Sequence, residues 1–171
     1  MSKAFTSEET PDAPAPVRAP PRLAPGELRY VTPEGHAALR AELARLADAA
    51  AAARAEATPE ARARAEDLAR RSALVEATLR TLTVLGPDAA PAGRAAFGTW
   101  VTVEDAAGAR STWRLVGPDE ADARRGLVSV HAPVGRALLG REVGDVVVVE
   151  RPGGAAELEI VDVVSTPPGV R

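Results

Sequence analysis

The sequence has no cysteine, few aromatic residues and only two histidines, and these shortages limit the chemistry the chain can perform. Without cysteine among its 171 residues, it has neither a disulfide framework nor thiolate catalysis. Because aromatic residues make up only 3%, the core must be aliphatic. His36 and His131 lie far apart, and local spacing places neither a nucleophile nor a carboxylate beside them. We therefore expect a protein that is not an enzyme.

The chain also lacks a hydrophobic run of membrane-spanning length and a signal peptide, which predicts a cytoplasmic protein with no membrane partner. It has no P-loop, no dinucleotide fingerprint and no zinc spacing, so no cofactor of its own is expected. The net charge is −3, and the excess of acids falls in residues 87–171. Nothing is arranged as a basic face large enough for tight binding to duplex DNA, which favours a protein partner.

Proline and alanine dominate residues 1–29, a composition that buries too little apolar area to fold. We predict a disordered leader there, with a docking peptide as the alternative. Residues 30–86 have heptad spacing and predict an antiparallel helical hairpin, or coiled coil. The seam positions are Leu39, Leu43, Leu46, Ala50 and Ala53 in the first helix, and Ala61, Ala65, Leu68, Ser72, Val75, Leu79 and Leu82 in the second.

Two Thr-Pro pairs set the helix starts, because threonine caps a helix N-terminus and proline suits its first position. Thr32 and Pro33 open the first helix, which is expected to run to about Glu56. Thr58 and Pro59 open the second, which is expected to end near Leu85. Arms of about 24 residues predict a rod of roughly 36 Å at 1.5 Å per residue.

From Phe97 the periodicity changes to two, which predicts an α+β domain over residues 97–165 with an antiparallel sheet and one short helix. The predicted strands are 99–104, 111–116, 127–131, 146–151 and 156–164, and the predicted helix is 134–139. The valines of 146–149 are expected to be buried on both faces of the sheet.

The turn of the hairpin carries the best candidates for functional chemistry. Glu56 and Glu60 flank it and are expected to lie near one another, and a metal ion can be held by one or two carboxylates when a partner supplies its other ligands. Ordinary solvated helix ends are the alternative. Four arginines are candidates for contact with RNA or, alternatively, a solvated face: Arg62, Arg64, Arg70 and Arg71.

Several motifs in order resemble the GreA/GreB family of transcription factors. The first is Tyr30-Val31-Thr32-Pro33-Glu34-Gly35. The others are 97–103 (FGTWVTV), 114–122 (RLVGPDEAD), 129–140 (SVHAPVGRALLG), 143–145 (VGD) and 152–154 (PGG). The resemblance implies an FKBP-like C-terminal domain that docks on the β′ subunit of RNA polymerase, with the hairpin entering the secondary channel. The implied docking residues are Asp119, Glu120, Ala132 and Pro133.

The sequence departs from the family pattern at the turn of the hairpin. Members that promote RNA cleavage carry an acidic run there which helps to hold Mg²⁺ in the polymerase active site, and that run is absent here. The hairpin also looks two to three turns shorter per arm, at 3.6 residues per turn.

We therefore expect an elongation regulator with a shortened hairpin. The alternatives are a cleavage factor that uses Glu56 and Glu60, a channel-occupying regulator similar to Rnk, and, less favoured, a prolyl isomerase with a pocket at Phe97, Trp100 and Trp113.

Overall fold

The computed structural model describes residues 28–151 and 154–167, so residues 1–27, most of the predicted leader, lie outside the described ranges. The strands are β1 (Arg29–Val31), β2 (Leu82–Val84), β3 (Trp100–Asp105), β4 (Arg110–Val116), β5 (Leu127–Ser129), β6 (Val146–Arg151) and β7 (Gly154–Val164). The helices are α1 (Pro33–Ala55), α2 (Pro59–Thr81) and α3 (Pro133–Leu138).

The helical hairpin forms as its heptads and caps predict. The Thr32 side chain accepts a hydrogen bond from the Gly35 amide, and the Thr58 side chain accepts one from the Ala61 amide. Small residues dominate the distal seam, where Ala50, Ala53, Ala61 and Ala65 are buried. Each helix has 23 residues, which gives a rod of about 35 Å.

A two-stranded parallel sheet forms the root of the hairpin. β1 precedes α1, β2 follows α2, and Tyr30 pairs with Thr83 in their register. The expectation that α2 runs to Leu85 was therefore wrong, since the helix ends at Thr81. Leu82–Val84 pairs instead with a strand about fifty residues earlier, and helical periodicity does not reveal such a partner.

The second sheet has five strands in the order β5-β4-β3-β7-β6. The α+β fold with a helical hairpin and one short helix is confirmed, but the sheet is mixed rather than wholly antiparallel. β5 runs parallel to β4, with Leu115 beside Val128, because the chain crosses back between them through a loop and a 3₁₀ turn at Ala123–Arg125. β5 ends at Ser129 because a turn closes when the Ala132 amide donates to the Ser129 carbonyl at 2.9 Å.

The core lies on one face of this sheet beneath α3. It consists of Ala95, Val101, Val103, Leu115, Leu138, Val147, Val149, Leu158 and Ile160. The expectation that all four valines of β6 are buried was wrong. Val147 and Val149 belong to the core, whereas Val146 and Val148 are 60% and 58% exposed. β6 is an edge strand, and no layer in the described part of the chain covers its second face.

Candidate functional sites

The turn of the hairpin is the first candidate site. α1 ends at Ala55, Glu56 keeps helical dihedrals, and Ala57 adopts the left-handed conformation at φ 54° before Thr58 begins the next helix. The Glu56 carboxylate forms an ion pair with Arg64, one turn into α2. Glu60 is exposed in the first turn of α2, where the helix dipole favours its negative charge.

A metal site is not preassembled at this turn. Within residues 28–151 and 154–167, no group of three or more histidine, cysteine, aspartate or glutamate side chains is placed to hold a metal ion. Any contribution of Glu56 or Glu60 to metal binding therefore needs further ligands from a partner.

Three of the four arginines predicted to contact RNA form ion pairs on the surface of α2. Arg64 pairs with Glu56, while Arg70 and Arg71 both pair with Asp67, at 3.2 and 2.8 Å. Arg62 is exposed, and no ion pair is found for it within the described residues. These contacts fit a largely neutralised, solvated face, and among the four candidates Arg62 is the most available to an incoming phosphate.

The predicted docking residues lie in two neighbouring segments, the loop after β4 and the start of α3 after β5. Asp119 and Glu120 follow β4, and Ala132 and Pro133 follow β5. Because β4 and β5 are parallel, both segments leave the sheet at the same end. Pro133 is exposed and Ala132 half-buried. The structure therefore places the two predicted docking segments at the same end of the sheet. Their separation along the chain alone did not predict this proximity.

Asp119 and Glu120 also hold the hairpin root, a role that nothing in the neighbouring sequence indicates. Asp119 forms a bidentate ion pair with Arg29, in which Arg29 Nε lies 2.5 Å from Asp119 Oδ2. The Arg29 side chain is only 2% exposed. Glu120 accepts hydrogen bonds from the Thr32 amide at 2.9 Å, the Thr32 hydroxyl at 2.6 Å and the Gly117 amide at 3.2 Å. The carboxylates predicted to dock a partner are thus engaged within the chain.

Close packing at the root leaves no room for side chains at two glycines. A Cβ on Gly35 would lie 1.8 Å from Glu120 Oε2, and a Cβ on Gly117 would lie 2.2 Å from the Tyr30 carbonyl oxygen. Tyr30 also packs against Phe97, with ring centroids 5.9 Å apart. The hairpin root is therefore fitted directly to the β4 end of the larger sheet.

A third polar contact links α1 to β4. Arg114 Nη2 donates to Glu34 Oε2 at 2.9 Å, and Arg114 Nε donates to the Gly98 carbonyl at 3.0 Å. Partial burial raises the pKa of Glu34, but a backbone hydrogen bond and the hydrogen bond and charge of Arg114 outweigh it and lower the pKa below its usual value. We call the Arg29–Asp119, Thr32–Glu120 and Glu34–Arg114 contacts the root clamp.

The aromatic residues considered for an isomerase pocket have packing roles. The Arg114 guanidinium lies over the Trp100 ring, 5.8 Å from its centroid, and Trp113 packs against the core. Phe97 packs against Tyr30. These contacts favour packing rather than substrate binding. Among the helices of the described ranges, none has the length and apolar content needed to cross a membrane.

The geometry defines a class of protein, in which a β-sheet domain carries a projecting helical rod fixed at its root. Comparison with known proteins adds the family. The model for "Transcription elongation factor, GreA/GreB, C-term" matches residues 90–165. The transcription elongation factor GreB of Pseudomonas aeruginosa is 37% identical over 150 residues, with 79% of this chain and 88% of that protein covered. The chain belongs to the GreA/GreB family of transcription elongation factors.

Other similarities cover less or are more distant. The transcription elongation factor GreA of Alkalilimnicola ehrlichii is 46% identical over 91 residues, a match that spans 52% of this chain and 58% of that relative. A solved GreA/GreB factor from Nitrosomonas europaea is 24% identical, with 81% and 98% of the two chains covered and a TM-score of 0.41.

Proposed function

We propose that this protein binds RNA polymerase through its sheet domain and inserts its hairpin into the secondary channel, where it regulates elongation without the acidic tip of cleavage-promoting relatives. Membership in the elongation-factor family supports the general role. The root clamp supports insertion, because it fixes the direction of the rod relative to the sheet domain before any partner binds.

The proposal rests on the turn of the hairpin. Glu56 is already paired with Arg64, which reduces the negative charge available to a metal ion in a partner. The rod of about 35 Å is also short.

We place polymerase contact at the segments after β4 and β5, on the β′ subunit. Pro133 and Ala132 offer the accessible surface, while Asp119 and Glu120 keep the loop after β4 and the hairpin root in position. Arg62 is the proposed contact to nascent RNA. Any Mg²⁺ involved belongs to the polymerase active site.

Polymerase binding is tested with a matched pair of turn variants. Pro133→Asp should weaken binding to core polymerase by about tenfold, because burying an unpaired charge in the contact costs about 1.4 kcal/mol or more, and 1.4 kcal/mol corresponds to a tenfold change in Kd. Ala107→Asp, also in an exposed turn but beyond the other end of β4, should bind normally. If the wild-type chain does not bind polymerase, or if both variants bind as tightly as it does, the proposal fails.

A true cleavage factor is the second candidate, and exposed Glu60 favours it. Stalled elongation complexes distinguish the two functions. Under our proposal, RNA shortens no faster with the protein than without it. A cleavage factor would accelerate shortening, Arg64→Ala would increase the effect by freeing Glu56, and a Glu56→Gln, Glu60→Gln double change would abolish it.

A further inference from the structure

The first four residues of the edge strand β6 lack the devices that usually protect a sheet edge, and its charged residues, Glu150 and Arg151, lie only at its end. In the described part of the chain β6 pairs with β7 alone, and the opposite edge strand, β5, has only three residues. Exposed edges are commonly shielded by shortness, proline, lysine or a bulge, because open backbone groups recruit other strands. The run Val146–Val149 has no such residue and leaves two valine side chains mostly exposed.

Beside these valines lies a row of acids on the same face. Glu159 is paired with Val146 and Glu157 with Val148 in the register of β6 and β7. Both glutamates are exposed, and neither has an ion-pair partner within the described residues. The excess negative charge of residues 87–171 is thus partly concentrated next to an apolar edge.

The hairpin root covers a different part of this face. Glu34 of α1 reaches Arg114 on β4, and Arg114 lies over Trp100 on β3. Trp100 and Arg114 are paired in the register, so both lie at the β4 side of the sheet. The β7–β6 side therefore stays open while the other side is occupied.

The charge of this face indicates what kind of partner can cover it. A second copy pairing through β6 would bring Glu150, which is exposed on β6 on the same face as Val146 and Val148, next to an equally acidic face, and like charges on neighbouring strands destabilise the pairing. A lysine or arginine on an added strand would instead be attracted by the glutamates of this face. The aliphatic stems of such basic residues can cover Val146 and Val148, and their cationic ends can reach the glutamates one strand away, about 10 Å from the added strand.

We propose that β6 is a docking edge for an extended segment of a partner protein in which basic and apolar residues alternate. The segment adds to the sheet as a sixth strand through backbone hydrogen bonds. Its basic residues face the side of Val146 and Val148, and its apolar residues face the core side. This site is distinct from the proposed polymerase contact, because β6 and β5 form opposite edges of the sheet.

The test measures fluorescence anisotropy of a labelled synthetic peptide that alternates lysine and valine, titrated with the full chain. The peptide should bind, and Val148→Lys should weaken binding by about tenfold, since it replaces an apolar contact with a like charge. Val84→Lys is the matched control, because Val84 is a 47% exposed valine on the hairpin root, and it should bind normally. Thermal melts of both variants establish that they fold.

Two further peptides separate strand addition from simple charge attraction. A peptide alternating glutamate and valine should not bind, and a lysine-valine peptide with methylated backbone amides should bind far more weakly. The proposal is overturned if the parent peptide fails to bind, if the methylated peptide binds equally well, or if the two valine variants behave alike.

Two other results would identify a different occupant of the edge and also overturn the proposal. Sedimentation showing a dimer that Val148→Lys dissociates would assign the edge to a second copy. Hydrogen exchange showing that the β6 amides not bonded to β7 are already protected in the monomer would assign it to the chain itself.

Discussion

Removing the Asp119 carboxylate should uncouple the helical hairpin from the sheet domain. Asp119→Ala leaves the Arg29 guanidinium buried with only a long hydrogen bond, 3.4 Å, to the Thr81 hydroxyl. Removing one partner of a buried ion pair costs about 3–5 kcal/mol, because the remaining charge loses its compensation. Since Thr81 remains and Asp119 is 12% exposed, we expect a loss near the lower end, about 3 kcal/mol.

Urea denaturation tests this with two signals, circular dichroism for the helices and tryptophan fluorescence for the sheet domain. The two transitions should separate in Asp119→Ala. Glu42→Ala, which breaks the exposed pair with Arg45, should cost about 0.5 kcal/mol or less and keep them together. The apolar double change Arg29→Met, Asp119→Leu should restore most of the stability. A cost below about 1 kcal/mol for Asp119→Ala would refute the reasoning.

Three smaller changes test other local features. Ala57→Gly should stabilise the chain by about 0.5–1 kcal/mol in thermal denaturation, since glycine relieves the left-handed backbone at φ 54° at some entropic cost. Gly117→Ala should cost about 1–3 kcal/mol, because its methyl group meets the Tyr30 carbonyl, whereas Gly86→Ala has room and should cost less than 1 kcal/mol. Because the folded state lowers the pKa of Glu34, its charge stabilises the fold above its ordinary pKa of 4.5, and this contribution is lost as the pH falls through the lower folded value. Glu34→Gln should therefore be slightly less stable than the wild type at pH 7 and equally stable in acid, as urea titrations at both pH values would show.

Local sequence signals predicted the helical hairpin because its determinants are local. Thr32 and Thr58 cap the helices as their Thr-Pro pairs indicated, and the heptad seam is buried at Leu46, Ala50 and Val75. Most strands of the sheet domain were also placed correctly by alternation. The prediction that the sheet is wholly antiparallel was wrong for β5, because the direction of that strand depends on how the preceding loop crosses rather than on periodicity.

Features that depend on distant partners were missed. Nothing near Leu82 reveals that it pairs with Arg29, so the helical prediction ran too far. The four valines of β6 looked alike in sequence, and Val146 and Val148 are exposed because no layer in the described part of the chain covers the second face of the sheet. At the candidate site, Glu56 and Glu60 were placed correctly at the turn, but the pairing of Glu56 with Arg64 could not be read from spacing across two helices.

The alanine seam gives the rod a gradient of stiffness along its length. At its base, two paired strands and the root clamp hold both helices, whereas towards the turn the helices meet through small side chains such as Ala53 and Ala61. Small side chains bury less area per contact, so less free energy resists bending there. The rod is therefore fixed at its base and more easily bent towards the turn, so that a sideways force on the turn would bend the distal helices while the root clamp stays intact.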